Sequence, residues 1–210
     1  MKRRIGSIFF ALALCLTLLP ATALAAAPAA ETADFTDGDG TAALALLNAA
    51  KTGESASTWD ADSKTLTLNG IDFTTTASTA VKLPGGTTVV LADGAENRIT
   101  GGGAAVTETG TYNNQIYIYG IYVGGALTIR GESGGTGTLR VTSGEHNNTG
   151  NAWTYSVGLY AADDLTVQGG STTAIGGKAS GTDCAFSHGV ELAERGSLFV
   201  TGGSLTGIGG

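Results

Sequence analysis

The stretch TYNNQIYIYGIYVGG at 111–125 carries tyrosines at alternate positions. In an extended chain, alternate residues share a face. With Ile116, Ile118 and Ile121 turned inward, Tyr117, Tyr119 and Tyr122 turn outward. The segment GLYAAD at 158–163 puts Tyr160 where the earlier one has Tyr122, and EHNNTGNAWTYS at 145–156 adds Trp153 and Tyr155. Aromatic faces stack on the C–H surface of sugars, and phenol groups bond to sugar hydroxyls. Tyr117, Tyr119, Tyr122, Trp153, Tyr155 and Tyr160 are therefore the candidate carbohydrate-binding strip. The same spacing also suits plain strand surface, since tyrosine favours strands and stacked tyrosines brace one another.

A second constellation is acidic. Superposing GLYAADD at 158–164 on GVELAER at 189–195 sets Asp163 against Glu194, with Asp164 and Glu191 nearby. Like charges so close repel unless a cation or a proton intervenes. Oxygen-only clusters suit Ca²⁺, so Asp163, Asp164, Glu191 and Glu194 are the candidate metal ligands. The alternative is that these corner residues splay into water.

Positions so distant in sequence meet only if the chain repeats itself. It does: DLTVQGGSTTAIGG at 164–177 returns as SLFVTGGSLTGIGG at 197–210. The apolar-x-apolar pair recurs as Leu66/Leu68, Val89/Leu91, Leu127/Ile129, Leu165/Val167 and Leu198/Val200. A run precedes most pairs: AVKLPG at 80, GIYVGG at 120, GLYAAD at 158 and GVELAE at 189. A weaker run follows them: NRITGG, TLRVTSG, TTAIGG and SLTGIGG, whose register the pattern leaves open. Three short strands in a repeat of about 30–40 residues predict a parallel β-helix, each coil burying its inward side chains on the next. Val81, Ile121, Leu159 and Val190 should then form one inward column, and Leu83, Val123, Ala161 and Leu192 another. The outward column reads Lys82, Tyr122, Tyr160, Glu191, and Thr67, Thr128 and Thr166 share a row. Gly70, Gly131, Gly169 and Gly202 are expected at corners. The rival architecture, an antiparallel β-sandwich, would not keep its repeats aligned over successive copies.

The chain opens differently. Lys2, Arg3 and Arg4 precede an apolar run from Ile5 to Leu19, and Ala23-Leu24-Ala25 supplies a small-x-small cleavage pattern. Residues 1–26 thus read as a secretion signal, too short for a comfortable membrane span. Residues 27–40 read as a flexible lead-in. Its DGDG matches part of a calcium loop, but Phe35 and Leu46 stand where carboxylates belong, so it reads as a turn. TAALALLNAAK at 41–51 predicts a short helix with Leu44 and Leu47 on one face and Asp39 or Thr41 as cap. With a linker to 56 it caps the repeats of 57–210, which stop in mid-repeat and are expected to continue in further coils or domains. The 34 glycines lack a collagen-like triplet and point to many turns. Cleavage would take three positive charges off a chain already at net −7. That excess of acid argues against nucleic acid and anionic lipid as partners. Cys15 would leave with the leader, so no internal disulfide is expected. Cys184 reads as a small buried hydrophobe.

STWDADSKTLTLNGIDF, TAVKLPGGTTVVLADGAENRIT, GIYVGGALTIRG and GLYAADDLTVQGG together resemble the secreted carbohydrate-binding repeat domains of Clostridia. The resemblance covers roughly 55–210. It implies an all-β, right-handed parallel β-helix similar to pectate lyases, with polysaccharide binding at the bacterial cell surface, bound calcium and no catalysis. The first expectation is thus a secreted, non-catalytic polysaccharide-binding domain. The second is a structural or adhesive stalk. The third is a pectin-type lyase or hydrolase, for which clustered Asp with a nearby His would be needed. Asp163, Asp164 and His188 echo that arrangement, but a further Asp and an Arg-x-Lys are missing. Arg130 and Arg140 are the strand-borne candidates for a lyase base, and His146 is expected in a solvated loop.

Overall fold

The computed structural model describes residues 31–103, 115–147, 153–181 and 184–210. The signal expected at 1–26 lies outside them. The described chain is all-β apart from one helix, and its strands follow the period-2 alternation of apolar and polar residues. Strands β1 (Ala33–Asp34), β5 (Thr79–Leu83), β8 (Gln115–Val123), β12 (Trp153–Ala161) and β15 (Ala185–Leu192) form one sheet, parallel at every step. A second sheet begins with β2 (Thr58–Asp60), antiparallel to β3 (Thr65–Leu68). From β3 it continues in parallel through β6 (Thr87–Leu91) and β9 (Leu127–Gly131) to β13 (Leu165–Ile175). The far half of β13 pairs with β10 (Thr138–Thr142), which pairs in turn with β7 (Glu96–Thr100) and β4 (Asp72–Thr74). Strand β16 (Leu198–Ile208) lies along the whole of β13. A small pair, β11 (His146–Asn147) with β14 (Ala179–Ser180), stands apart.

Parallel pairing joins each repeat to the next, and three ladders share one apolar core. Val81, Ile121, Leu159 and Val190 stack as the repeat predicts, and so do Leu83, Val123, Ala161 and Leu192. Leu66 pairs with Val89, and Leu165 pairs with Leu127 on one side and Leu198 on the other. The third run now has a register: Ile99, Val141, Ala174 and Gly207 form its inward column.

One step departs from the pattern. Val89 pairs with Ile129 rather than Leu127, whose partner is Thr87. The offset set by Leu83 and Val123 carries round the corner, where a Cβ on Gly85 would lie 3.0 Å from the Gly125 Cα. A slip of two keeps every inward residue inward. Thr87 enters the buried column and its hydroxyl donates to the Pro84 carbonyl at 2.7 Å. The outward threonine row is consequently Thr65, Thr88, Thr128 and Thr166, while Thr67 sits beside Val90. Of the glycines expected at corners only Gly70 has a left-handed backbone, φ 66°; on the later turns Gly170 and Gly203 take that role, not Gly131, Gly169 or Gly202.

Residues 33–40, expected within the lead-in, instead build the first rung. Ala33 and Phe35 are buried, and Asp34 pairs with Lys82 in the ladder and by a 3.0 Å ion pair. Helix α1 (Thr41–Ala49) follows Gly40, and the Asp39 carboxylate accepts the Thr41 N–H at 2.9 Å. The helix buries Leu47 and Ala43, with Leu44 half-covered, against this end of the core. The Asn48 side chain ties it to Ser57 in both directions, at 2.8 and 3.1 Å.

The face-setting device is a glycine column, Gly120, Gly158 and Gly189, within β8, β12 and β15. A Cβ on Gly158 would lie 2.5 Å from the Ile175 N and 2.7 Å from the Gly189 carbonyl. There the sheet touches the third ladder, against backbone at Gly158 and Gly189 and against the Val141 side chain at Gly120, and the strand resets its alternation. Ile118 and Ile121 are both buried although three positions apart, which frees Tyr119 and Tyr122 for the outer face. Gly158→Ala should therefore cost about 1–3 kcal/mol by overpacking. Gly53→Ala, with nothing within 4 Å of the added carbon, should be neutral or slightly stabilising. Urea titration of the two variants measures the contrast.

Candidate functional site

The outer face of the first sheet gathers the aromatic residues. Pairing sets Tyr155 between Tyr117 and Phe186, and Tyr160 between Tyr122 and Glu191. Tyr117 and Tyr155 stack at 4.7 Å and 14°, and Tyr155 and Phe186 at 5.0 Å and 15°. Tyr122 and Tyr160 stack at 5.3 Å and 11°. Tyr119 joins the two stacks, 5.8 Å from Tyr117, 5.2 Å from Tyr122 and 5.4 Å from Tyr160. Trp153 stands at the margin, 45% exposed and tilted 54° to Phe186. All the side chains expected in the strip thus lie on one patch.

Their orientation differs from the expected platform. Near-parallel rings whose centroids repeat at the ~4.8 Å strand spacing must face each other along the ladder. The stacked rings therefore cover one another's faces and present edges and hydroxyls to solvent. The Tyr117 hydroxyl donates to Gln115 Oε1 at 2.6 Å.

Phe186 and His188 belong to the patch and were not among the expected residues. The signal was available: the offset that sets Leu159 over Val190 also sets Tyr155 over Phe186 and Val157 over His188. The His188 Nδ1 lies 2.9 Å from Glu191 Oε2, and a ring N–H donating to that carboxylate fits the distance. Glu191 therefore closes the row that begins with Asp34 and Lys82.

Burial and neighbouring charge act on the phenols. Burial first, then Tyr117, Tyr160, Glu191 and Tyr122, holds the Tyr119 proton well above the ordinary phenol range. Burial raises Tyr160 as well, reinforced by Tyr122 and Glu191. Tyr117 and Tyr155 shift the same way, again chiefly through burial.

The four carboxylates proposed as calcium ligands do not form a cage. Asp164 Oδ1 accepts the Ser197 N–H at 2.8 Å, clasping one repeat to the next, and Glu191 is engaged with His188. Asp163 and Glu194 are exposed. Among the described residues no three of His, Cys, Asp and Glu gather closely enough to hold a metal ion. Nor does His188 meet Asp163 or Asp164 as the hydrolase echo required, since its carboxylate partner is Glu191. Arg130 and Arg140 are exposed strand residues, Arg140 in register with Arg98. His146 is buried, 3% exposed, rather than in a solvated loop, because pairing with Ala179 draws it into the stack. Cys184 is a free, half-buried thiol whose carbonyl accepts the Thr154 N–H.

Comparison with protein-family models, curated proteins and solved structures found no match.

The raised Tyr119 fixes the sign of an alkaline effect. An unfolded phenol ionises near pH ~10, whereas the folded one keeps its proton. Above that pH the unfolded chain binds fewer protons, so stability falls as pH rises; below it the contribution is fully present. The melting temperature should hold to about pH 9 and then decline, and Tyr119→Phe should make that decline shallower.

Proposed function

We propose that the chain is a right-handed parallel β-helix, secreted to the bacterial surface, whose aromatic face holds a polysaccharide without cleaving it. The observation that carries this reading is the convergence of Tyr117, Tyr119, Tyr122, Tyr155, Tyr160 and Trp153 on one sheet face from two adjacent strands. Continuous parallel ladders from successive repeats around a common core support the helical architecture. The basic, apolar and small-residue opening of the sequence supports secretion. The resemblance to clostridial carbohydrate-binding repeats supports the ligand class.

The mode of contact follows from ring orientation. A sugar chain along the ladder meets phenol hydroxyls, which donate and accept, and ring edges. The exposed Trp153 indole supplies a stacking surface at the margin. Among the described residues of its strands the acids are Asp34 and Glu191, at opposite ends of the row rather than paired as in a glycosidase.

A second reading has its own observation. Rings that spend their faces on each other at 4.7–5.3 Å brace the ladder whether or not a ligand comes. Each stacked pair is worth about 0.5–1.5 kcal/mol beyond its buried area. In this reading the domain is a stiff stalk.

Paired substitutions separate the two. Tyr122→Ala with Tyr160→Ala removes rings and hydroxyls; Tyr122→Phe with Tyr160→Phe removes hydroxyls alone. The binding reading expects the wild type to co-sediment with at least one of insoluble cellulose, chitin or xylan. It expects the Ala pair to abolish this and the Phe pair to weaken it with little change in melting temperature. No sedimentation with any of the three, and a melting temperature lowered only in the Ala pair, would leave the stalk.

A further inference from the structure

The Glu191 side of the tyrosine row has a chemistry of its own. Lys82 is the only lysine or arginine among the described residues of the five strands of this sheet, and its Nζ is held by Asp34 at 3.0 Å. Among the described residues no unpaired lysine or arginine stands on these strands to receive a sugar carboxylate. At the other end, Tyr160 has Tyr122 on one side at 5.3 Å and, on the other, Glu191 in register instead of a ring. The Tyr160 face turned towards Glu191 is thus not spent on another aromatic. Tyr119 leans against the same ring at 5.4 Å and 51° from the neighbouring strand β8. His188 fixes the carboxylate through its Nδ1 at 2.9 Å. Burial first, and the Glu191 charge as a lesser cause, raises the phenol protons of Tyr117, Tyr119, Tyr155 and Tyr160.

An electron-rich ring face with a carboxylate next to it is the recognition chemistry of an ammonium group. Resting on the polysaccharide reading of this face, we propose that the notch of Tyr119, Tyr160, His188 and Glu191 selects an amine-bearing sugar, a polymer of free glucosamine type, over acetylated and uronate polymers. The amine lies against Tyr160 and pairs with Glu191, while the polymer follows the hydroxyl row. Uronates meet Glu191 as a like charge and find no free lysine or arginine among the described residues of these strands. The chain's net charge of −7 adds to that bias at longer range.

The test is calorimetry with three hexamers at about 50 mM and 300 mM salt: glucosamine, N-acetylglucosamine and galacturonate. The glucosamine hexamer is expected to bind about two- to five-fold more tightly than its acetylated counterpart, less so at high salt, and the galacturonate hexamer most weakly. Glu191→Gln, of nearly the same shape, should erase the difference while leaving binding of the acetylated hexamer in place. Glu191→Asp should keep part of it. Asp62→Asn, which removes one charge from a distant turn, should leave it unchanged. Equal affinities for the first two hexamers, a preference that survives Glu191→Gln, or an equal loss in Asp62→Asn each overturns the inference while polysaccharide binding stands. Failure of all three hexamers and of cellulose, chitin and xylan overturns the polysaccharide reading and this inference together.

Discussion

In-register parallel pairing between repeats is the constraint on which everything else depends. A parallel ladder gives each residue one neighbour above and one below at ~4.8 Å. Side-chain chemistry then becomes a property of columns rather than of residues. An apolar column condenses into core, as Val81, Ile121 and Leu159 do. A small column admits close approach, as at Gly120, Gly158 and Gly189. An aromatic column must stack, because rings wider than the strand spacing have nowhere else to go. The ladder therefore dictates ring orientation as firmly as it dictates ring position.

That dictation shapes what the outer face offers. A surface that displays ring faces is apolar and interchangeable along its length. A surface that displays hydroxyl edges is polar and has a defined spacing of donors and acceptors. The distinction arises from geometry alone, since the same tyrosines on an antiparallel sheet with staggered pairing would splay apart. The charged residues at the two ends, Lys82 with Asp34 and Glu191 with His188, give the row a direction. The interior of the row is uncharged, so its charge sits at the two ends.

How much of this was legible in the sequence depends on how each ladder is written. The first ladder was readable to the residue because a small residue followed by an inward apolar pair, as in Gly-Ile-Tyr-Val and Gly-Leu-Tyr-Ala, recurs at the same spacing. The second ladder was readable in face but not in register at one step. There two overlapping pairs, Thr87–Val89 and Val89–Leu91, both face inward, and the glycine contact at the corner goes with the first. The third ladder was not fixed because threonine and glycine occupy positions that apolar residues hold elsewhere. Phe186 escaped notice because the residues before it lack alternation. Ring orientation was invisible, since period-2 spacing reports the side of a sheet and not the tilt of a side chain. The carboxylate cluster failed for a related reason: alignment brings backbones together, but corner side chains are free to bond elsewhere, as Asp164 does with Ser197.

The two-residue slip between β6 and β9 says something about how such a chain can lengthen over evolutionary time. A duplication that lands inside a strand can be tolerated when it adds an even number of residues, because the buried set stays buried. An odd insertion would invert the faces for the remainder of that strand and expose its apolar residues. Corners carry no such parity, and the variable spacing of this chain's repeats is concentrated there. New loops can thus be grafted at the bends of an old scaffold without disturbing its interior.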